Sequence, residues 1–263
     1  MNKLYILLLL VLPATAMAQS KIAAPTGIWP ELQLSADVGE DGVLFIRNQY
    51  RISTDSRYND LKDSGVLSSF ERVEFSLGYE HTFSDHWRAG AIYRYAIENF
   101  PETAFYGLFI RHNGAIKSLY FNKQLLAEYT DQEGMEAFGR FRFSAELGKR
   151  LPLKSKFVTP SISYEALLRS EFGKEDDNAE ERTIDRTRLR LGLNFEVTER
   201  LRINPYFIRQ TEYYYVLVPP VYDESEQLSE EGYTAKRNRV MPVVGLTVKY
   251  TIGKTPQTAS ITY

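Results

Sequence analysis

The segment Asp185–Phe207, DRTRLRLGLNFEVTERLRINPYF, restricts the fold of this chain more than any other feature. In its first half Arg186, Arg188 and Arg190 occupy one set of alternate positions and leucines occupy the other. A helix, with 3.6 residues per turn, would mix the two sets, whereas a strand, with a period of two, separates them onto opposite faces. The segment therefore predicts two strands joined by a short polar turn, each with a charged and an apolar face.

The same alternation recurs along most of the chain. It is clear over Phe70–Phe83, Trp87–Ile97, Gly139–Leu151, Val158–Leu168, Thr187–Phe195 and Val240–Tyr250. It is less regular over Leu44–Ile52 and Leu119–Tyr129, where Asn48 and Lys123 fall on the apolar side. Strands of roughly ten residues are longer than the globular mode of about five or six. About nine to eleven tilted residues are what a strand needs to cross a bilayer.

The connections between these segments alternate in length. Short ones lie at 84–86, 112–115, 152–156 and 198–200, and longer polar ones at 54–69, 130–136, 170–182 and 215–235. Short turns at one end and long loops at the other are typical of outer-membrane barrels. We therefore expect an all-β fold, a transmembrane antiparallel up-and-down β-barrel of about 10–12 strands.

The chain divides into four parts. Residues 1–18 have a basic start, an apolar run and a small-residue AMA end, which predicts a cleaved secretory signal peptide. Residues 19–41 form an N-terminal segment that could add a strand, 42–250 the barrel, and 251–263 a tail that could supply a partner strand. Because a closed bacterial barrel usually has an even number of strands, the place of these two end segments stays open.

Composition narrows the class of protein. The 32 basic and 34 acidic residues nearly balance, which argues against nucleic acid as a partner. The absence of cysteine excludes a disulfide framework, so the exported chain must be stabilised by strand pairing and packing. We expect an outer-membrane location. The main alternative fold is a soluble periplasmic lipocalin-like carrier, in which the apolar face would be inside and the arginines outside.

In a membrane barrel the apolar face meets lipid, so the charged face lines the lumen. The predicted lumen residues are Arg47, Arg51, Arg72, Glu74, Glu80, Arg88, Arg94, Arg140, Arg142, Glu146, Glu165, Arg186, Arg188, Arg190, Glu196 and Arg202. Two interpretations follow. Arginine and glutamate could pair and fill the interior, which gives a structural or interaction barrel. Alternatively, the excess of arginine could make a narrow pore that prefers anions.

An enzyme acting on lipid or peptide is the third functional class. A serine hydrolase would need a histidine beside a nucleophile at the loop end, but His81, His86 and His112 all fall near short turns. We therefore predict no catalytic residue, no metal site and no cofactor. The acidic stretches 171–182 and 223–231 read as solvated loops. The apolar stretch Tyr213–Tyr222 could extend the wall, plug the lumen or contact a partner, in that order of preference.

Two resemblances supplement this reading. The stretch VGLTVKY, with Gly245, Leu246, Val248 and Tyr250, resembles the terminal signal read by barrel-assembly machinery, although residues 251–263 follow it. The stretches LGYEHTFSDHWRAGAIYRY, RFRFSAELGKRL and RTRLRLGLNFEVTERLRINPYF resemble an uncharacterised family of Gram-negative outer-membrane β-barrels. That resemblance implies fold and location and transfers no catalytic residue. The expected partners are outer-membrane lipid, lipopolysaccharide and the assembly machinery, and the expected state is a monomer.

Overall fold

The computed structural model describes residues 20–62, 65–99, 101–171, 183–222 and 228–253, so the expected signal peptide lies outside the described residues. Most of the described chain is β-structure, and short 3-10 helices at Ser56–Tyr58 and Val66–Ser69 lie in one connection. The strands are β1 Ser20–Ala23, β2 Gly27–Val38, β3 Gly42–Ser53, β4 Arg72–Thr82, β5 Trp87–Ile97, β6 Thr103–Ile116, β7 Leu119–Gln132, β8 Phe138–Gly148, β9 Leu151–Leu153, β10 Lys156–Glu171, β11 Ile184–Glu196, β12 Leu201–Val218, β13 Val221–Tyr222, β14 Leu228–Glu230 and β15 Tyr233–Ile252.

Within the described ranges no helix is long and apolar enough to span a membrane.

Eleven of the described strands form a closed barrel. Its wall runs β2, β3, β4, β5, β6, β7, β8, β10, β11, β12 and β15, each paired with the next, and β15 pairs back to β2. The remaining strands are short: β9 pairs with β10, β1 with β15, and β13 with β14. The prediction of an all-β transmembrane barrel of 10–12 strands is confirmed.

The seam between β15 and β2 is parallel, whereas the other wall neighbours are antiparallel. It runs from Val243 opposite Gly27 to Ile252 opposite Ala36. An up-and-down chain with an odd number of strands must close this way, because its first and last strands point in the same direction. The wall therefore begins at Gly27, earlier than the residue 42 expected from sequence, and residues 254–263 of the expected tail lie outside the described chain.

The connections define two ends of the barrel. The short-turn end carries the connections 39–41, 83–86, 117–118, 149–155 and 197–200. The opposite, long-loop end is where β3 ends and β4 begins, and likewise for the pairs β5 and β6, β7 and β8, β10 and β11, and β12 and β15. Because the strands continue further than the sequence suggested, residues 130–132 and 215–218 belong to β7 and β12 rather than to loops.

The wall is apolar outside and polar inside. On β4, Phe75, Leu77 and Tyr79 point outward and are each 40% exposed, whereas Glu74 and Glu80 point inward and are 2% exposed. An outward apolar face and an inward charged face are what a bilayer-spanning barrel requires. This arrangement is the reverse of the one that the soluble-carrier alternative needs, so that alternative is wrong for this chain.

The interior also holds apolar side chains that narrow the lumen. Phe45, Ile92, Phe109 and Leu126 form one buried cluster, and Trp29, Tyr206, Ile208, Met241 and Val243 form another. Glycines on neighbouring strands make room for the aromatic rings. A Cβ on Gly78 would lie 2.2 Å from Cζ of Phe45, and one on Gly245 would lie 2.1 Å from Cζ of Tyr206. The rings therefore lie flat against the inner wall, which glycine alone permits at these positions.

One hairpin extends beyond the rest of the wall. The pairing of β12 with β15 continues to Val218 opposite Tyr233, whereas the pairing of β11 with β12 stops at Arg186 opposite Glu212. The stretch that begins at Tyr213 thus continues β12 as a two-stranded ribbon at the long-loop end. Of the three roles considered for this stretch, the structure shows the wall extension.

The flat aromatic rings generate a stability prediction. We expect Gly78→Ala to lower the free energy of unfolding by about 1–3 kcal/mol, the usual cost of overpacking, because the new methyl group overlaps the ring of Phe45. Urea unfolding of the detergent-refolded barrel would measure this loss. Gly192→Ala is the matched control, since it is also an inward strand glycine but its Cβ would meet its nearest atoms at 3.2 Å. Equal losses in the two variants would contradict the explanation.

Candidate functional site

The centre of the lumen is built around three carboxylates, those of Glu74, Glu128 and Glu165, and we refer to them with their arginines as the central network. Glu74 on β4 is the most heavily coordinated. Its carboxylate oxygens lie 2.8 Å from Arg72, 3.2 Å from Arg94, 3.5 Å from Arg47 and 3.9 Å from Arg51. Strand alternation places all five side chains inside, because they occupy inward positions on three adjacent strands. Burying a carboxylate is costly unless cations and hydrogen bonds compensate it, and here four guanidinium groups do so.

Glu128 and Glu165 continue the central network around the wall. Glu128 on β7 is ion-paired with Arg94, and its second oxygen lies 3.0 Å from Arg140 and 3.6 Å from Arg142. Arg142 in turn lies 3.4 Å from Glu165, which is 3.1 Å from Arg188. Arginines shared between glutamates thus connect β4, β5, β7, β8, β10 and β11 through side chains as well as through backbone pairing.

Aromatic rings hold several of these guanidinium groups in place. Phe105 on β6 lies between Arg94 and Arg140, each with its guanidinium carbon 4.5 Å from the ring centroid. Trp29 on β2 contacts two further arginines: the guanidinium carbon of Arg51 lies 4.4 Å from its ring centroid, and that of Arg188 lies 5.5 Å from it. Stacking on a desolvated ring adds cation–π attraction and limits the side-chain conformations that each arginine can adopt.

A cavity of about 310 Å³, which we call the loop-end cavity, occupies the lumen around the central network. Its lining contains ten arginines: Arg47, Arg51, Arg72, Arg94, Arg140, Arg142, Arg169, Arg186, Arg188 and Arg190. The lining acids are Glu31, Glu74, Glu98, Glu146, Glu165 and Asp185. Because the arginines outnumber the acids, the cavity surface has positive character and would attract negatively charged solutes.

A second cavity of about 370 Å³, the turn-end cavity, lies on the other side of the central network. Amides and hydroxyls dominate its lining, among them Asn113, Thr159, Ser161, Asn194 and Asn204. Its charged residues are Glu146, Arg150, Glu196 and Arg202, with Arg150 and Glu196 ion-paired at 2.9 Å. Asn122 and Glu146 occur in the linings of both cavities, so these two residues border both of them.

The structure places the predicted lumen residues at inward positions of the wall. Twelve line the loop-end cavity, namely Arg47, Arg51, Arg72, Glu74, Arg94, Arg140, Arg142, Glu146, Glu165, Arg186, Arg188 and Arg190. Glu196 and Arg202 line the turn-end cavity. The other two, Glu80 and Arg88, are ion-paired with each other at 3.1 Å, and Glu80 also lies 2.6 Å from Arg111.

Several interior charges were missed by sequence reasoning. Glu31 lies on β2, which did not fit the expected strand count, although Trp29, Glu31 and Gln33 alternate clearly with exposed apolar residues. Glu128 is on β7, where buried Leu126 and outward Lys123 break the pattern. Phe105, Phe109 and Arg111 on β6 were overlooked because both faces of this strand are largely apolar. Only the register of each strand against its neighbours, which decides whether its odd or even positions face the lumen, could have identified them.

Two of the three histidines, His86 and His112, lie together near the short-turn end. His86 and His112 have ring centroids 6.0 Å apart, and His112 packs edge-on against Trp87 at 4.7 Å. Nδ1 of His86 lies 3.0 Å from the backbone oxygen of Asn113. Among the residues that the structure describes, no group of three or more histidine, aspartate or glutamate side chains has the arrangement of a metal site.

Charged groups beyond the wall show how the long-loop end differs from the interior. Asp55 caps the first 3-10 helix, and the Arg57 guanidinium, 2.6 Å from it, lowers the pKa of its carboxyl group. Glu71 directly precedes β4 and is partly enclosed, so desolvation raises the pKa of its carboxyl group despite nearby Arg51. The exposed Asp55–Arg57 pair and the partly enclosed Glu71 carboxyl group therefore differ in solvation.

The residues of the expected assembly signal lie on β15, the strand that closes the barrel. Leu246, Val248 and Tyr250 point outward, and Gly245 lies beneath the Tyr206 ring. The hydroxyl group of Tyr206 donates a hydrogen bond to the backbone oxygen of Trp29 at 3.1 Å, across the parallel seam. The outward face of β15 is therefore apolar, and on its inward face the Tyr206–Trp29 hydrogen bond passes over Gly245 and joins β12 to β2.

These features define a transmembrane β-barrel with a charged, partly filled lumen. The family described as "Protein of unknown function (DUF2490)" matches residues 26–215, so the chain belongs to this family. The resemblance to an uncharacterised barrel family is thereby confirmed. None of the curated proteins compared with the chain matches it. Among solved structures, the NanC porin is similar with a TM-score of 0.44 and 12% identity, covering 86% of this chain and 97% of that one.

The central network generates a second stability prediction. We expect Glu128→Gln to destabilise the barrel by about 3–5 kcal/mol, because it removes the carboxylate that Arg94, Arg140 and Arg142 share and takes from Arg140 the carboxylate that compensates its charge. Glu196→Gln is the matched control: its partner Arg150 is 41% exposed in its side chain, so we expect a loss of about 1 kcal/mol or less. Urea midpoints of the refolded variants would provide the comparison, and a larger loss for Glu196→Gln would refute it.

Proposed function

We propose that this chain is an outer-membrane β-barrel whose lumen binds and passes small anionic solutes. The observation that carries this proposal is the presence of two polar cavities, one towards each end of the barrel, that are both bordered by Asn122 and Glu146. A barrel stabilised only by a filled interior has no need of polar space at both ends. The loop-end cavity is at the lower end of the range of about 300–1,000 Å³ found for small-molecule sites, which suits a small solute.

The charge of the loop-end cavity favours anions over cations. Three of its arginines, Arg186, Arg188 and Arg190, follow one another at alternate positions of β11 and form a basic line along the wall. Rings or lines of arginine in a pore of low dielectric attract anions and repel cations. The glutamates of the central network hold the other arginines in position, so the network and the passage are compatible functions of the same residues.

The proposal includes a location and partners. The outward apolar face suits the outer-membrane hydrocarbon, with the long-loop end facing lipopolysaccharide outside and the short-turn end facing the periplasm. The residues Gly245, Leu246, Val248 and Tyr250 would be read by the barrel-assembly machinery. A single chain closes its own wall, which supports a monomer that needs no partner subunit.

A second function, a structural or interaction barrel that does not conduct, is favoured by the burial of the central network. Glu74, Arg94 and Glu128 are only 2%, 4% and 4% exposed, which shows dense packing at this level of the lumen. In that case the arginines and glutamates would serve as a polar core, and function would reside in the loops and in the β12–β15 ribbon.

Single-channel recording in planar bilayers, with a salt gradient across the membrane, separates the two functions. We expect the refolded protein to give small, steady conductance steps, with a reversal potential whose sign shows that anions carry most of the current. The double variant Arg186→Gln/Arg188→Gln should reduce anion selectivity, because it removes two charges of the basic line. Arg57→Gln is the matched control, since its guanidinium is also lost but lies in an exposed connection.

The outcomes are distinct. Steps that are cation-selective would contradict the proposed charge effect, and a folded wild-type barrel that stays silent would support the structural barrel instead. Equal changes in the lumen variant and in Arg57→Gln would show that overall charge, rather than the basic line, sets the selectivity.

A further inference from the structure

A row of polar residues across four strands borders the two cavities. Asn122 on β7 lies opposite Glu146 on β8, Glu146 opposite Ser163 on β10, and Ser163 opposite Arg190 on β11. All four residues line the loop-end cavity, and two of them also line the turn-end cavity. We call this set the junction row. A solute that moved between the cavities past Asn122 and Glu146 would meet it.

The two charged members of the junction row differ from the rest of the lumen. Six other glutamates of the wall have an arginine within 4.0 Å: Glu31, Glu74, Glu80, Glu128, Glu165 and Glu196. Glu146 has none among the described residues, and its oxygen Oε1 accepts a hydrogen bond from the Tyr120 hydroxyl group at 2.6 Å. Arg190 stacks on Tyr206, with its guanidinium carbon 3.7 Å from the ring centroid, and its buried Nη2 has no hydrogen-bond partner.

A carboxyl group and a guanidinium group thus lie in the same row without forming a direct ion pair within 4.0 Å. Adjacent strands are about 4.8 Å apart, so residues two strands apart, like Glu146 and Arg190, have backbones separated by roughly 10 Å. Tyr120 fixes one side chain and Tyr206 the other. Buried charged groups with unused hydrogen-bonding capacity are costly, and a ligand that satisfies both recovers that cost.

On the basis of the proposed passage, we propose that the junction row is its specificity filter and binds small zwitterions, with the solute carboxylate at Arg190 and the solute ammonium at Glu146. Asn122 and Ser163 would supply neutral hydrogen bonds beside them. A dianion gains from Arg190 but is repelled by Glu146, and a simple monoanion leaves Glu146 without a cation. Specificity then comes from the repulsive group as well as from the attractive one.

Three solutes with the same four-carbon chain test this filter: 4-aminobutyrate, butyrate and succinate. Their entry into proteoliposomes containing the full-length barrel is measured by swelling under matched osmotic conditions. We expect wild-type protein to pass 4-aminobutyrate about tenfold faster than succinate, a ratio that corresponds to about 1.4 kcal/mol. Glu146→Gln should reduce this ratio towards one by admitting succinate, and Arg190→Gln should slow both 4-aminobutyrate and butyrate.

Asp55→Asn is the control, because it also removes a carboxylate, but one that is paired with Arg57, lies in an exposed connection and lines neither cavity. It should leave the ratio unchanged, and an equal effect of Asp55→Asn and Glu146→Gln would overturn the inference. A wild-type barrel that prefers succinate would overturn it as well, while leaving the proposed anion passage intact. A wild-type barrel that passes neither chloride nor any of the three solutes would refute the passage itself.

A second measurement needs no variant. Added 4-aminobutyrate should reduce the chloride current through the wild-type barrel at lower concentration than butyrate or succinate does, because it binds both charged residues of the junction row, Glu146 and Arg190. Equal block by the three solutes would contradict a zwitterion site even if every variant failed to fold.

Discussion

Everything in this structure depends on the need to pair each backbone amide and carbonyl group where no water is present. Hydrocarbon offers no hydrogen bonds, so a sheet that crosses it must close on itself. Closure fixes which face of each strand meets lipid, and the period of two then sends every other side chain into a confined interior. The charges found there, such as Glu74 and its four arginines, follow from that confinement: each buried carboxylate requires cations close by, and the adjacent strands supply them.

The fold class and the facing of most charged residues were predictable because they depend on local alternation alone. Arg186, Arg188 and Arg190 could be assigned to one face from β11 by itself. The strand β2 could not be placed in the same way, since its partner β15 lies at the far end of the sequence and pairs in parallel. Local pattern carries no information about such a contact, and the usual even strand number argued against it.

The central network was only partly predictable for a different physical reason. Glu128 on β7 joins Arg94 on β5 to Arg140 and Arg142 on β8, so its importance appears only when the registers of these strands are combined. The interior is also not uniformly polar. Phe45, Phe109 and Leu126 face inward beside the charges, and their apolar character gives the wrong signal when a strand is read alone. Size explains them: large side chains narrow the lumen where glycines on neighbouring strands leave room.

The parallel seam has a consequence for the two ends of the chain. Since β2 and β15 point the same way, β2 begins at the long-loop end, whereas β15 ends at the short-turn end. A barrel with an even number of strands would bring both ends to the same side. Here a tag joined before β1 and another joined behind β15 would sit in different aqueous compartments, so one polypeptide can report separately on the two sides of the membrane that it crosses.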